Sequence, residues 1–116
     1  MHKPLAHEAR ANHGKSSLSA DFTAADKAQA WSQHMASTGV LEHTGGGWTI
    51  DPSGLSGWCS LGENVGAGPS ISSVHQAFLA SSGHRANMLG NFDRVGTGVH
   101  KQGSTYWVTE IYLKSC

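Results

Sequence analysis

Three short segments of the chain carry side chains that could perform chemistry. "LEHTG" contains His43, "LGENVGAG" contains Glu63 in an expected glycine-flanked turn, and "GHRANML" contains His84. Each residue is expected at the end of a secondary-structure element, so the three could meet in one cleft. Converging histidines are the commonest way to hold a divalent transition metal. The spacing alone does not distinguish such a site from three solvated or capping side chains.

Hydrolysis is the alternative chemistry for these residues. A Glu–His pair can activate water, either alone or on zinc. Ser81, close before His84, also suggests a serine nucleophile. However, the chain has no G-x-S-x-G motif, and the sequence identifies no third group that would orient the histidine. We therefore favour a binding site over an enzyme.

Four helical segments are predicted around these residues. "PLAHEARANHG" predicts a short helix, and apolar residues at helical spacing predict a second helix over about residues 23–38. Ser70 is expected to cap a third helix, and "RANMLGNF" predicts a short helical turn after it. The glycine- and serine-rich segment "HTGGGWTIDPSGLSGWCS", residues 43–60, is predicted to be a long loop. Its Trp48 and Trp58 form either a small apolar cluster or a ligand surface.

Strands are predicted only near the C-terminus. "RVGTGVHK" and "STYWVTEIYL" alternate in polarity and are joined near Gln102 and Gly103. Gly96 and Gly98 share one face of the first strand, which would let a helix or another backbone lie close against it. Helices followed by a short antiparallel sheet indicate an α+β fold.

The composition favours one globular domain over residues 1–116. Hydrophobic residues make up 38% of the 116 residues, enough for one core, whereas charged residues make up only 14% and the formal net charge is zero. A nucleic-acid or membrane-surface binder needs a basic excess, so neither partner is expected. The sequence has no apolar run that predicts a transmembrane segment, and "MHKPLAHEAR" lacks the apolar core of a signal peptide. We expect a monomer.

The chain contains two cysteines, Cys59 and Cys116. A disulfide at Cys116, the last residue, would hold a terminus that otherwise frays. Neither cysteine lies in a C-x-x-C pair or beside another candidate ligand, so a metal or redox role is disfavoured. We predict a Cys59–Cys116 disulfide, with two unrelated thiols as the alternative. A disulfide indicates an exported protein.

The order of the motifs "AQAWSQHMASTGVLEH", "GENVGAG", "SSGHRANML" and "YWVTEIY" closely resembles the CAP superfamily. This superfamily comprises the cysteine-rich secretory proteins, antigen 5 and the plant pathogenesis-related 1 proteins. The resemblance runs from about residue 5 to about residue 113, and the short form without a cysteine-rich tail is similar to the bacterial branch. It implies an α–β–α sandwich with a three- or four-stranded antiparallel sheet.

The resemblance also implies a cleft that holds two histidines and two glutamates. His43, Glu63 and His84 match three of these positions, whereas Ser81 stands where the second glutamate is expected. The implied ligand is Zn²⁺ or a similar ion, held weakly by His43 and His84, with Glu63 orienting an imidazole.

An exported binding module is therefore the function that the sequence favours. Because some family members bind sterols or fatty acids, a lipid or another small hydrophobic ligand is a further expectation, with residues 44–58 as the candidate segment. The alternatives are a hydrolase that uses the same His/Glu residues, and a module that binds protein or cell-wall material through its loops.

Overall fold

The structure, a computed structural model, describes Arg10, Lys15 and residues 17–116. Of the short helix predicted over residues 4–14, only Arg10 lies within the described residues, and it is helical. The elements that follow are β1 (Ser19–Ala20), α1 (Phe22–Thr38), β2 (Trp58–Gly68), α2 (Ile71–Ala80), α3 (Ser82–Leu89), β3 (Arg94–Gln102) and β4 (Thr105–Ser115). No helix in this part of the chain is long and apolar enough to cross a membrane.

Helix α1 begins and ends where its sequence provides caps. The Asp21 side chain accepts a hydrogen bond from the backbone N–H of Ala24 at 2.8 Å, which satisfies one free amide of the first turn. Gly39 adopts the left-handed conformation, with φ of 70°, and its N–H bonds to the carbonyl of Met35. The predicted helix over residues 23–38 is thus confirmed to within one residue.

The sheet has the strand order β1-β3-β4-β2. β3 pairs with β4 and β4 pairs with β2, both antiparallel, whereas the two-residue β1 runs parallel to β3. The fold is therefore the predicted α+β class, with one short parallel strand added to the antiparallel sheet.

Strand β2 corrects the prediction that Glu63 lies in a glycine-flanked turn. Glu63 is in the middle of β2, opposite Ile111 of β4. The neighbouring glycines allow side chains from α2 and α3 to lie against the strand. A Cβ atom at Gly62 would lie 2.8 Å from the Asn87 side chain, and one at Gly66 would lie 2.7 Å from the ring of Phe78. These glycines therefore serve close packing and not a turn.

Helices cover both faces of the sheet. Ala24 and Ala28 of α1 pack with Ile111 and Leu113 of β4 on one face. A Cβ atom at Gly96 or Gly98 would overlap the backbone of α1, which confirms the predicted close approach. On the other face, α2 and α3 contribute to a second cluster with the sheet, which contains Leu18, Val74, Phe78, Met88, Val95, Val108 and Tyr112.

Two features tie the ends of the described structure to this core. A disulfide joins Cys59 and Cys116, with Cα atoms 4.9 Å apart, as predicted. Arg10, a residue that is 2% exposed, donates through its guanidinium to the carbonyls of Met88, Gly90 and Phe92 at 2.8 to 3.3 Å. Arg10 thereby satisfies carbonyl groups at the C-terminal end of α3, where a positive charge is also favourable.

Candidate functional site

The three predicted site residues lie around one cleft beside β2, the edge strand opposite β1. A cavity of about 430 Å³ is lined by His43, Trp48, Glu63, Ser81, Gly83, His84 and Asn87. His43 comes from the segment after α1, Glu63 from β2, and His84 from the first turn of α3. The structure thus brings together residues that are 20 and 21 positions apart in the sequence.

Glu63 is a buried carboxylate that orients His43. Its Oε1 atom lies 2.8 Å from Nδ1 of His43 and accepts a hydrogen bond from the backbone N–H of Thr44 at 2.9 Å. Its Oε2 atom accepts from the Thr44 hydroxyl at 2.7 Å. A carboxylate can only accept, so Nδ1 of His43 carries a proton and Nε2 keeps its lone pair when the ring is neutral. This leaves His43 ready to act as a metal ligand or base through Nε2.

Thr44 connects this pair to the loop that follows α1. Its hydroxyl donates to Glu63 and accepts from the backbone N–H of Asp51 at 2.8 Å. Asp51 in turn lies 3.1 Å from Nζ of Lys27 on α1. Hydrogen bonds from the Ser53 side chain and backbone, with a further contribution from Lys27, lower the pKa of Asp51 to about 2. Asp51 therefore stays ionised at neutral pH and holds the loop against α1.

Replacement of Thr44 by valine is expected to lower the free energy of unfolding by about 2 kcal/mol, because Glu63 would lose a hydroxyl donor while remaining buried. Urea denaturation of the variant measures this loss, and Thr44→Ser, which keeps the hydroxyl, is the matched control. Equal stability of the valine and serine variants would show that the hydroxyl does not support Glu63.

His84 sits in a different environment from His43. Its Nδ1 atom lies 2.9 Å from the Ser81 hydroxyl, and its ring stacks on Phe78 with centroids 4.9 Å apart. Burial and the nearby charge of His43 lower the pKa of His84, while a hydrogen bond to the backbone of Val65 acts in the opposite direction. Ser81 thus contacts the histidine at the position where the sequence resemblance leads one to expect a carboxylate.

A buried polar network behind the cleft was not predicted from the sequence. Asn87 donates to the Glu63 carbonyl at 3.0 Å and to Oδ1 of Asn64 at 2.9 Å. Asn64 donates to the His84 carbonyl at 3.0 Å and to Oε1 of Glu110 at 3.2 Å. This network fastens α3 to β2 and therefore fixes the position of the His84 backbone. The motif "GEN" was a signal for Asn64, but no local pattern indicated its partner on β4.

The surroundings of the cleft are apolar. Val40, Leu41, Trp48 and Val65 line an adjoining cavity of about 380 Å³ together with both histidines. A further cavity of about 420 Å³ extends from His84 along β2 and α2, past Val74, Ala77 and Phe78. Trp48 is 92% exposed, whereas Trp58 packs against the core, so the two tryptophans do not form the small cluster proposed as one alternative.

The cleft brings few candidate metal donors together. Nε2 of His43 is available, and His84 is the second imidazole. Within residues 17–116, Arg10 and Lys15, no group of three or more His, Cys, Asp or Glu side chains is arranged to hold a metal ion. Any ion in the cleft would therefore need water or a ligand to complete its coordination.

Comparisons with known proteins agree with this architecture. A family model described as the cysteine-rich secretory protein family (CAP) matches residues 6–112. A search of curated protein sequences returned no significant match.

Solved structures provide a second comparison. An outer surface protein of Borrelia burgdorferi superimposes with a TM-score of 0.83 at 18% identity, covering 96% of this chain and 87% of the other. An extracellular SCP-domain protein of Bacillus anthracis gives a TM-score of 0.80 at 28% identity over 95% of this chain, which spans only 38% of that protein. A venom allergen-like protein of Schistosoma mansoni gives 0.65 at 17% identity, with coverage of 85% and 68%.

Proposed function

The chain belongs to the cysteine-rich secretory protein (CAP) family, and we propose that it is an exported binding module whose cleft takes a divalent metal ion weakly. His43 and His84 would hold the ion, and Glu63 would orient His43 without binding the metal. The observation that carries this proposal is the 2.8 Å contact between Glu63 and Nδ1 of His43, which leaves Nε2 free. A bound ion would supply a Lewis acid and a site for an external ligand.

Export is supported by two independent observations. The Cys59–Cys116 disulfide is typical of oxidising compartments. In addition, two of the similar structures are described as an outer surface protein and an extracellular protein.

A small hydrophobic ligand is the second candidate for this cleft. The cavity beside α2 offers Val65, Val74 and Phe78 as apolar walls, and it adjoins the histidines. Its lining comes from Leu41, β2, Pro69, α2, Ser81 and His84, and includes no residue of the segment 44–58, which the sequence favoured.

The experiment is a zinc titration by calorimetry. We expect weak binding by the wild type, no measurable binding by His43→Ala, and weaker binding below about pH 6 because imidazoles then protonate. Ser81→Glu supplies the missing carboxylate beside His84 and should tighten binding by about 10- to 100-fold. This corresponds to roughly 1.4 to 2.8 kcal/mol.

Thr105→Glu is the matched control, because it adds a carboxylate at the start of β4, away from the residues that line the cleft. No heat in the wild type together with no heat in Ser81→Glu would refute the metal site. Equal zinc affinities for the wild type and a folded Ser81→Glu variant would mean that a carboxylate at position 81 does not act on the ligand histidine.

A further inference from the structure

We propose that Ser81 and His84 form a nucleophile–base pair that cleaves esters of short apolar acyl groups. This activity goes beyond metal binding and does not depend on it. The pair lies at the rim of the cleft, with the Ser81 hydroxyl 2.9 Å from Nδ1 of His84. That distance is within the hydrogen-bond reach required between a nucleophile and its base.

The position of Ser81 in the fold directs its hydroxyl to the imidazole. Ser81 is the N-cap residue of α3, where a serine side chain usually bonds a backbone N–H of the first turn. Here the side chain makes no such capping bond, and it contacts the His84 ring instead. The backbone N–H groups of the first helical turn also have no intrahelical partner. Gly83, in that turn, lines the same cavity and could offer its N–H to a developing oxyanion.

The ring of His84 is positioned beside the Ser81 hydroxyl. It stacks on Phe78 with ring centroids 4.9 Å apart, and its Nδ1 atom faces Ser81. In the tautomer that carries its proton on Nε2, Nδ1 has a lone pair that can take the Ser81 proton. His43, whose Nδ1 faces a carboxylate, has the opposite tautomer.

The cavities around Ser81 indicate the class of substrate. Ser81 lines both the 430 Å³ cavity and the apolar 420 Å³ cavity. The apolar one, with Val74, Ala77 and Phe78, can take a short acyl chain, while the other, with His43 and Asn87, leaves room for the alcohol part. The proposed substrate is therefore a carboxylic ester with a short apolar acyl group.

The reaction is balanced with water as the only co-reactant. The Ser81 oxygen forms a bond to the ester carbonyl carbon while its proton passes to Nδ1 of His84. Collapse of the tetrahedral intermediate breaks the bond to the alcohol oxygen, which leaves with that proton. Water then attacks the acyl-serine, gives its proton to His84, and releases the carboxylic acid as the serine is reprotonated.

The test is labelling by a fluorophosphonate probe in EDTA, with peptide mapping by mass spectrometry, together with hydrolysis of p-nitrophenyl butyrate. We expect one adduct per chain, located on Ser81, and loss of labelling in Ser81→Ala. His84→Gln should reduce the labelling rate by about 100-fold. Ser82→Ala, which alters an exposed neighbour, is the matched control and should label like the wild type.

Absence of an adduct on the folded wild type would overturn the proposal, as would an adduct that persists in Ser81→Ala or maps to another serine. Peptide mapping of the wild type alone decides the outcome if a variant does not fold. Because the measurement is made in EDTA, its result is independent of zinc calorimetry. If Ser81 is labelled but no zinc binding is seen, only the metal site is refuted. If zinc binds but Ser81 is not labelled, only the esterase is refuted.

Discussion

Loss of the disulfide is expected to lower the free energy of unfolding by about 4 kcal/mol in the chain-entropy model. Cys59 and Cys116 are separated by 57 residues in sequence, so the bridge removes many conformations from the unfolded chain. Replacing both cysteines by serine avoids a free thiol. Urea denaturation measures the change, and the melting temperature should fall by roughly 15 °C.

Two observations check that this loss comes from the bridge. A reductant should destabilise the wild type and leave the double-serine variant unchanged. A thiol reagent should find no free thiol in unreduced, denatured wild type and should find both after reduction. A double-serine variant with wild-type stability would show that the bridge contributes little, because the C-terminal strand is already held by its pairing with β2 and β3.

The parts of the fold that the sequence predicted depend on local patterns. Helix α1 is indicated by apolar periodicity between Asp21 and Gly39, and both caps are visible in the sequence. Gly96 and Gly98 predicted the close approach of a helix because their spacing of two places them on one face of a strand. His43 was predicted just past the second helix and lies in the segment after α1, whereas His84 was predicted after the third helix and lies in the first turn of the separate helix α3.

Strand β2 could not be recognised from local patterns. Its glycines have the composition of a turn, and only the packing of Phe78 and Asn87 against them explains why they are required in a strand. The partner of Asn64 is equally non-local, since Glu110 is 46 residues away and faces it across the β2–β4 pairing. Such pairs depend on strand register, which short-range periodicity does not specify.

Glu110, which strand register places opposite Asn64, is also the residue expected to make stability depend most on pH. Its side chain is buried on the same face of β4 as Tyr112, and Oε1 accepts hydrogen bonds from Asn64 at 3.2 Å and Tyr112 at 3.0 Å. Burial raises the pKa of Glu110 to about 7, although these two hydrogen bonds oppose the shift. The positive charge of Arg10 acts on the neighbouring Tyr112 hydroxyl. Near neutral pH, Glu110 therefore holds a proton far more readily than an exposed glutamate does.

The sign of the resulting pH dependence follows from the raised pKa. A glutamate in the unfolded chain has a pKa near 4.5, so the folded protein binds the proton more tightly than the unfolded protein. The stability from this group is fully present below pH 4.5 and is lost as the pH rises through 7. The total change is on the order of 3 kcal/mol. The lowered pKa of His84 acts in the opposite direction in part of this range, so a variant is needed to isolate Glu110.

Glu110→Gln is expected to remove this dependence, because a glutamine can accept the same two hydrogen bonds and carries no charge. The difference in unfolding free energy between the variant and the wild type should shift in favour of the variant by on the order of 3 kcal/mol between pH 4 and pH 9. Urea denaturation across this range measures the shift. Asp26→Asn, which removes an exposed carboxyl of α1, is the control and should keep the wild-type profile. If the unfolding free energies of the wild type and Glu110→Gln changed in parallel with pH, Glu110 would have the same pKa in the folded protein as in the unfolded chain.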